Sequence, residues 1–194
     1  SRVLALSGSP STASRTALVL AHLSATLAAG GHEVTHFAIR DLPPAALLRA
    51  DGTEPAIAAV IDAVDRADGL IIASPIYKAS YTGLLKSLLD LLPQYALGDK
   101  VVLPLATGGS LAHALAVDYA LRPVLAALGA HHIVPGYFVL DRLITTTPDG
   151  VRLAVVTEAV PDRERHAEEP LPADEPVTGE ARHPVLVSDP HVVG

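Results

Sequence analysis

Five short apolar runs alternate with longer stretches of helical pattern over the first 140 residues, and that alternation predicts the architecture. Arg2–Leu6 is almost entirely apolar, as expected of a strand buried on both faces. Arg15–Ala29 is rich in Ala and Leu and runs into Gly30-Gly31, a helix with a glycine stop. Glu33–Ile39 alternates apolar and polar residues, which suits a strand near a sheet edge. After an irregular connection (Asp41–Pro55), Pro55–Ala67 is helical with proline at its first position. Gly69–Tyr77 is the most strand-like segment, rich in Ile and stopped at Pro75. Gly83–Leu92 has helical periodicity and precedes Pro93. Lys100–Thr107 is a buried strand leading into Gly108-Gly109, and Leu111–Gly129 is a long helix. His131–Leu140 is a fifth strand, interrupted at Pro135-Gly136.

Doubly buried strands alternating with helices predict an α/β fold: a five-stranded parallel sheet with helices on both faces, in the order 2-1-3-4-5. In such sheets ligands bind beyond the carboxyl ends of the strands, at the switch point between strands one and three. The loops Ser7–Ser14, Ser74–Tyr81 and Thr107–His113 should therefore converge on one site.

Composition narrows the function classes. The chain has 194 residues, 49% hydrophobic and 18% charged, with a net charge of -7 and no cysteine. That charge argues against nucleic acid, and a chain without cysteine has neither disulfides nor thiolate metal sites. Apolar runs are broken before the roughly 20 residues a membrane span needs, and no signal peptide is read; a cytoplasmic protein is expected. Residues 1–150 carry 12 acidic and 10 basic side chains, whereas 151–194 carry 9 and 4 together with 6 of the 16 prolines. A body domain (1–150) and an acidic, proline-rich extension (151–194) are predicted.

The first loop offers hydroxyls from Ser7, Ser9, Ser11, Thr12, Ser14 and Thr16, together with Arg15 and the amides of a helix start. These suit a phosphate, or simply a serine-rich helix cap. It lacks the G-x-G-x-x-G and G-x-x-x-x-G-K-[ST] patterns of nucleotide loops. In the second loop Pro75, Ile76, Tyr77 and Tyr81 suit the face or edge of a planar ring and the Lys78 charge a phosphate or a developing negative charge on that ring, or else the tyrosines pack and Lys78 is solvated. Gly108 and Gly109 allow close backbone approach to a ligand, or make a tight turn. His113 is either polar lining or structural. No metal-ligand spacing and no Ser-His-Asp arrangement is found; His131 and His132 point to opposite faces of a strand. A phosphate loop beside ring-binding loops, without acid–base apparatus, favours a redox cofactor such as flavin.

The stretches "GSPSTASRT", "ASPIYKASYTGLLKSLLDLLP", "GDKVVLPLATGG" and "AVDYALRPVLAALGA" together resemble the NAD(P)H-dependent FMN reductases of two-component alkanesulfonate monooxygenase systems, in order and spacing from Arg2 to about Phe138. The resemblance implies a flavodoxin-like fold, FMN as cofactor, and NADPH or NADH as hydride donor to flavin N5. It also implies a partner FMN-dependent monooxygenase, of sulfonate type, that takes the reduced FMN. By the same resemblance Ser9, Ser14, Arg15 and Thr16 would hold the FMN phosphate. Pro75, Ile76, Tyr77 and Lys78 would border the isoalloxazine, with Thr107, Gly108 and Gly109 on its other side. No side chain is expected to be catalytic, and no metal is expected. Tyr119 matches a tyrosine associated in that family with a π-helical insertion at a subunit interface, so a homodimer or homotetramer is implied.

Family members usually close with an amphipathic helix after the fifth strand. Here only Val151–Val160 retains a short helical stretch, and the extension is expected to lie on a neighbouring subunit with Pro184–Ser188 as a short added strand or apolar anchor. Two other readings share the fold: an FMN-retaining quinone or azo-dye reductase, and a flavodoxin-like electron carrier. The near-neutral body without Trp counts against the last.

Overall fold

The computed structural model describes residues 1–147 and 150–153. Its elements are β1 (Arg2–Ser7), α1 (Arg15–Ala29), β2 (Glu33–Ala38), α2 (Pro44–Leu48), α3 (Pro55–Arg66), β3 (Gly69–Pro75), α4 (Gly83–Leu89), β4 (Val101–Gly108), α5 (Arg122–Ala127), β5 (His132–Ile133), β6 (Tyr137–Leu140), β7 (Ile144–Thr147) and β8 (Gly150–Leu153). The main sheet is parallel in the order β2-β1-β3-β4-β5, as the alternation of runs implies, and it is flavodoxin-like. The fifth strand is split. His132 and Ile133 pair with Val101 and Val102, the chain breaks at Pro135-Gly136, and Tyr137–Leu140 rejoins β4 opposite Leu105–Gly108.

Strand alternation sorts the core into two layers. Leu4, Leu6, Leu70 and Ile72 join one cluster with Ile57, Val60, Leu85, Leu88 and Leu125 from α3, α4 and α5. Ala5, Ile71 and Ala73 face the other way and pack with Val19 and Leu20 of α1. Side chains such as Ile72 and Leu88 are fully buried, each worth about 1.5–3 kcal/mol relative to exposure. Gly31 and Gly129, both at positive φ, end the helices α1 and α5. In each case the following amide reaches back to close the last turn, His32 to Leu27 and Ala130 to Leu125.

The structure departs from the sequence expectation in four places. The connection expected to be irregular contains α2, with Pro44 in its first turn. The helix expected to run to Leu92 ends at Leu89. The long helix expected over Leu111–Gly129 is three pieces: a 3-10 turn (Leu111–His113), a π-helical turn (Val117–Leu121) and α5. Pro123 accounts for the last break, because it has no N–H to donate and its ring crowds the carbonyl of the preceding turn. The ladder widens into π geometry just before it.

The fourth departure is β7–β8, an antiparallel hairpin that continues past the boundary drawn at Gly150. Ile144, Val139, Val151 and Leu153 pack with the α1 cluster. The layer holding α1 is therefore completed by strands: Val151–Leu153, read as the start of a helical stretch, belong to β8, and residues 154–160 of that stretch lie outside the described residues. The expected packing of the extension on a neighbouring subunit, including Pro184–Ser188, lies outside the described residues.

Candidate cofactor site

The three loops converge through backbone hydrogen bonds and through the side chains of Ser74 and Thr82. Gly8 donates its amide to the Ala73 carbonyl at 2.8 Å, and the Ile76 amide donates to the Thr107 carbonyl at 2.8 Å. Thr82 binds the first loop to the second. Its hydroxyl donates to the Gly8 carbonyl at 2.6 Å and accepts from the Leu85 amide at 3.1 Å, capping α4. Ser74 Oγ accepts from the Thr82 amide and donates to the Pro75 carbonyl. A Cβ on Gly8 would come within 2.8 Å of the Leu85 Cβ, so only glycine lets α4 approach this closely.

These contacts shape a cleft of about 280 Å³ at the carboxyl end of the sheet. Its wall includes Ser9, Ser11, Ala13, Ser14, Arg15 and Thr16 from the first loop. Pro75, Ile76 and Tyr77 come from the second, Thr107, Gly108 and Gly109 from the third, and Asp141 from the turn after β6. Of the residues that the resemblance assigns to FMN, Lys78 alone is not part of the wall. It is exposed in the Tyr77–Ser80 turn, where Lys78 and Ala79 both have positive φ. Tyr81 and His113 also stand apart from the wall, and Ser7 is fully buried beneath it, its hydroxyl without a partner among the described residues.

Several side chains expected to face a phosphate are already engaged. Ser14 is the N-cap of α1, its hydroxyl accepting from the Ala17 amide at 3.0 Å. The hydroxyls of Thr16 and Thr107, both about 1% exposed, share a 2.6 Å hydrogen bond. Arg15 Nη1 donates to the backbone carbonyls of Asp141 and Ile144, which ties the start of α1 to the turn after β6. A second arginine, Arg40, donates to the Ser11 carbonyl at 3.0 Å and steadies the loop from behind.

What remains for an anion is the Ser11 hydroxyl, the Ser9 hydroxyl proton (its oxygen accepts from the Ser11 amide), Arg15 Nε and Nη2, and the Arg15 and Thr16 amides in the first turn of α1, which have no intrahelical acceptor. Those donors and the helix dipole favour negative charge. A Cβ on Gly109 would meet nothing within 4 Å, so the third loop presents open, flat backbone to whatever lies in the cleft. The donor set and the glycine wall fit a phosphate joined to a planar ring.

The buried threonine pair lends itself to a double-mutant cycle. Thr16→Val or Thr107→Val alone should destabilise the fold by about 1–3 kcal/mol, because each strands the other hydroxyl. The double substitution should lie much closer to wild type. Urea denaturation of the three variants measures this, and additive losses would refute the pairing.

A second groove of about 690 Å³ backs onto the first loop, sharing Ala13, Ser14 and Arg15 and adding His36, Ile144, Thr145 and Thr146. Burial and the nearby Arg40 guanidinium hold the His36 pKa below its ordinary value. Among the described residues no group of three or more His, Cys, Asp or Glu stands where it could hold a metal ion, and no helix is long and apolar enough to cross a membrane.

Sequence reasoning missed Thr82 and Asp141. Thr82 carries a readable signal, a threonine directly before a helical run. Asp141 follows the last strand of the sheet at its carboxyl end, and the strand-end rule that named three loops extends to this fourth one.

The chain is similar to known proteins in sequence and in fold. Residues 1–143 match the model of the family described as NADPH-dependent FMN reductase. The chain is 45% identical over 161 residues to an FMN reductase (NADPH) of Pseudomonas putida strain KT2440, covering 83% of this chain and 81% of the relative. It is 50% identical over 140 residues to an FMN reductase (NADPH) of Escherichia coli strain K12, covering 72% and 73%. Among solved structures it resembles the apo form of an NADH:FMN oxidoreductase, EmoB, with a TM-score of 0.70 and 51% identity over 73% of this chain and 76% of the other.

Proposed function

We propose, from the premise that this chain belongs to the NADPH-dependent FMN reductase family, that its sheet-end cleft is the FMN site of an NAD(P)H-dependent FMN reductase. The observation that carries this reading is the meeting of the hydroxyl-rich start of α1 with the Gly108-Gly109 wall in one cleft. The hydroxyls of Ser9 and Ser11 and the first amides of α1 would hold the phosphate, with Ser14 and Thr16 fixing the loop rather than reaching it. Arg15 would hold the rim closed against the turn after β6. Pro75, Ile76 and Tyr77 would border one side of the ring, and Thr107, Gly108 and Gly109 the other.

When bound, FMN supplies the redox chemistry, accepting hydride from NADPH or NADH at N5. The protein's part is to bind, orient and leave one face open to the nicotinamide. Tyr77 is about half exposed at that rim, which suits stacking on a transient ligand.

The finer reading is that this enzyme gives up its reduced flavin to a separate FMN-dependent monooxygenase, and that it works in the cytoplasm as an oligomer. Leu111, Leu115 and Tyr119 recur every fourth residue and are each at least 60% exposed, with Tyr119 in the π-helical turn. That apolar row supports an interface between copies of this chain.

Titrating FMN into purified protein while following NADPH and NADH oxidation tests the proposal. Saturable dependence on added FMN is expected. Tightly retained flavin with turnover only on adding quinone or dye would replace the delivery reading, and no nicotinamide oxidation would end the reductase reading.

A further inference from the structure

The cleft wall carries an acid that the reductase reading does not require. Asp141 follows β6 directly, half-buried, and lines the same cleft as Ser9, Arg15 and Gly109. Its backbone carbonyl accepts from Arg15, but among the described residues its carboxylate has no ion pair and no hydrogen bond. Among the described residues it is the only acid in that wall and Arg15 the only base, so these side chains bring no net charge to it. Arg15 is moreover turned towards two backbone carbonyls, which occupy its Nη1. A phosphate entering this cleft meets hydroxyl and amide dipoles, a guanidinium whose Nη1 is held by two carbonyls, and a wall to which Asp141 adds a carboxylate.

We infer that Asp141 sets the affinity for flavin phosphate low. A phosphate monoester carries about -1.5 to -2 at pH 7, and a carboxylate on the same wall opposes it through a medium less screening than bulk water. The hydroxyls and helix start still select the phosphate, while Asp141 shortens its stay. A site built to keep its cofactor would gain from a cation here. A site that hands flavin to a second protein gains from a group that hastens departure without touching the ring. This inference rests on reading the cleft as an FMN site.

Asp141→Asn isolates the charge, because it keeps the backbone carbonyl that Arg15 holds and nearly the same side-chain shape. In equilibrium titrations followed by flavin fluorescence, the FMN Kd of the variant should fall by about three- to tenfold. Riboflavin, which has the ring and ribityl chain but no phosphate, should bind variant and wild type alike, within about twofold. Asp141→Glu keeps the charge and should stay near wild type for both ligands. An FMN Kd that is unchanged or raised in Asp141→Asn overturns the inference. So does an equal shift for FMN and riboflavin, which would place the carboxylate against the ring or the ribityl chain. If wild-type protein binds neither flavin, the FMN-site reading itself fails and this inference goes with it.

Discussion

Gly136→Ala should lower the stability of the folded chain by about 1–3 kcal/mol, a typical cost of overpacking a core. A Cβ at this position would fall inside van der Waals contact with Val117 Cγ1, and would lie 3.1 Å from Pro104 Cγ and 3.2 Å from the Pro104 carbonyl. None of these neighbours can retreat cheaply. Val117 is 3% exposed and β-branched, and it begins the π-helical turn. Pro104 is held in the middle of β4. Gly136 does not have a positive φ, so the penalty is steric rather than conformational. At this chain length it corresponds to a fall in Tm of roughly 2–4 °C per kcal/mol. Shaving the clashing neighbour supplies the check. In a Val117→Ala background Gly136→Ala should cost clearly less, and a strictly additive double mutant would refute the contact.

Gly136 also shows which parts of the fold the sequence could announce. Pro135-Gly136 was readable as an interruption of the last strand, because proline cannot donate to the ladder and glycine weakens a strand interior. Its reason was not readable, since it lies in Val117 and Pro104, 19 and 32 positions away. The sheet order was legible because period-two burial and apolar runs are local patterns. The hairpin β7–β8 was legible in part: a threonine run, then Pro148-Asp149-Gly150, then Val151 and Leu153 is a strand–turn–strand signal. The composition change near Gly150, where acidic and proline-rich sequence begins, masks that signal.

The site divides in the same way. Strand ends named the three loops, and glycines named the flat wall. Which hydroxyls stay free was not legible, because Thr16 is engaged by Thr107, 91 residues away, and Arg15 by carbonyls beyond residue 140. Residue type announces a capacity to bind phosphate, whereas long-range partners decide whether that capacity is already spent within the fold. Lys78 illustrates the converse. Its charge suggested a ligand contact, but the turn it occupies carries it off the cleft wall.

Gly109→Leu should abolish flavin binding while leaving the fold intact. Gly109 lines the cleft, a Cβ there meets no atom within 4 Å, and its φ is not positive. Neither clash nor backbone strain therefore opposes a side chain, and an isobutyl group would project into the space assigned to the ring. The FMN Kd should rise at least about 100-fold, or roughly 2.7 kcal/mol, with Tm close to wild type. Riboflavin binding should fall in parallel, because the obstacle stands at the ring rather than at the phosphate. That parallel loss separates this wall from Asp141, whose effect should follow the phosphate alone. Gly108→Ala provides the contrast next door: its Cβ would lie 2.9 Å from Phe138 Cζ, so it should disturb packing as well as binding. Wild-type FMN affinity in Gly109→Leu would remove the ring from this wall, and a large fall in Tm would show that the space beside Gly109 is filled by the chain itself.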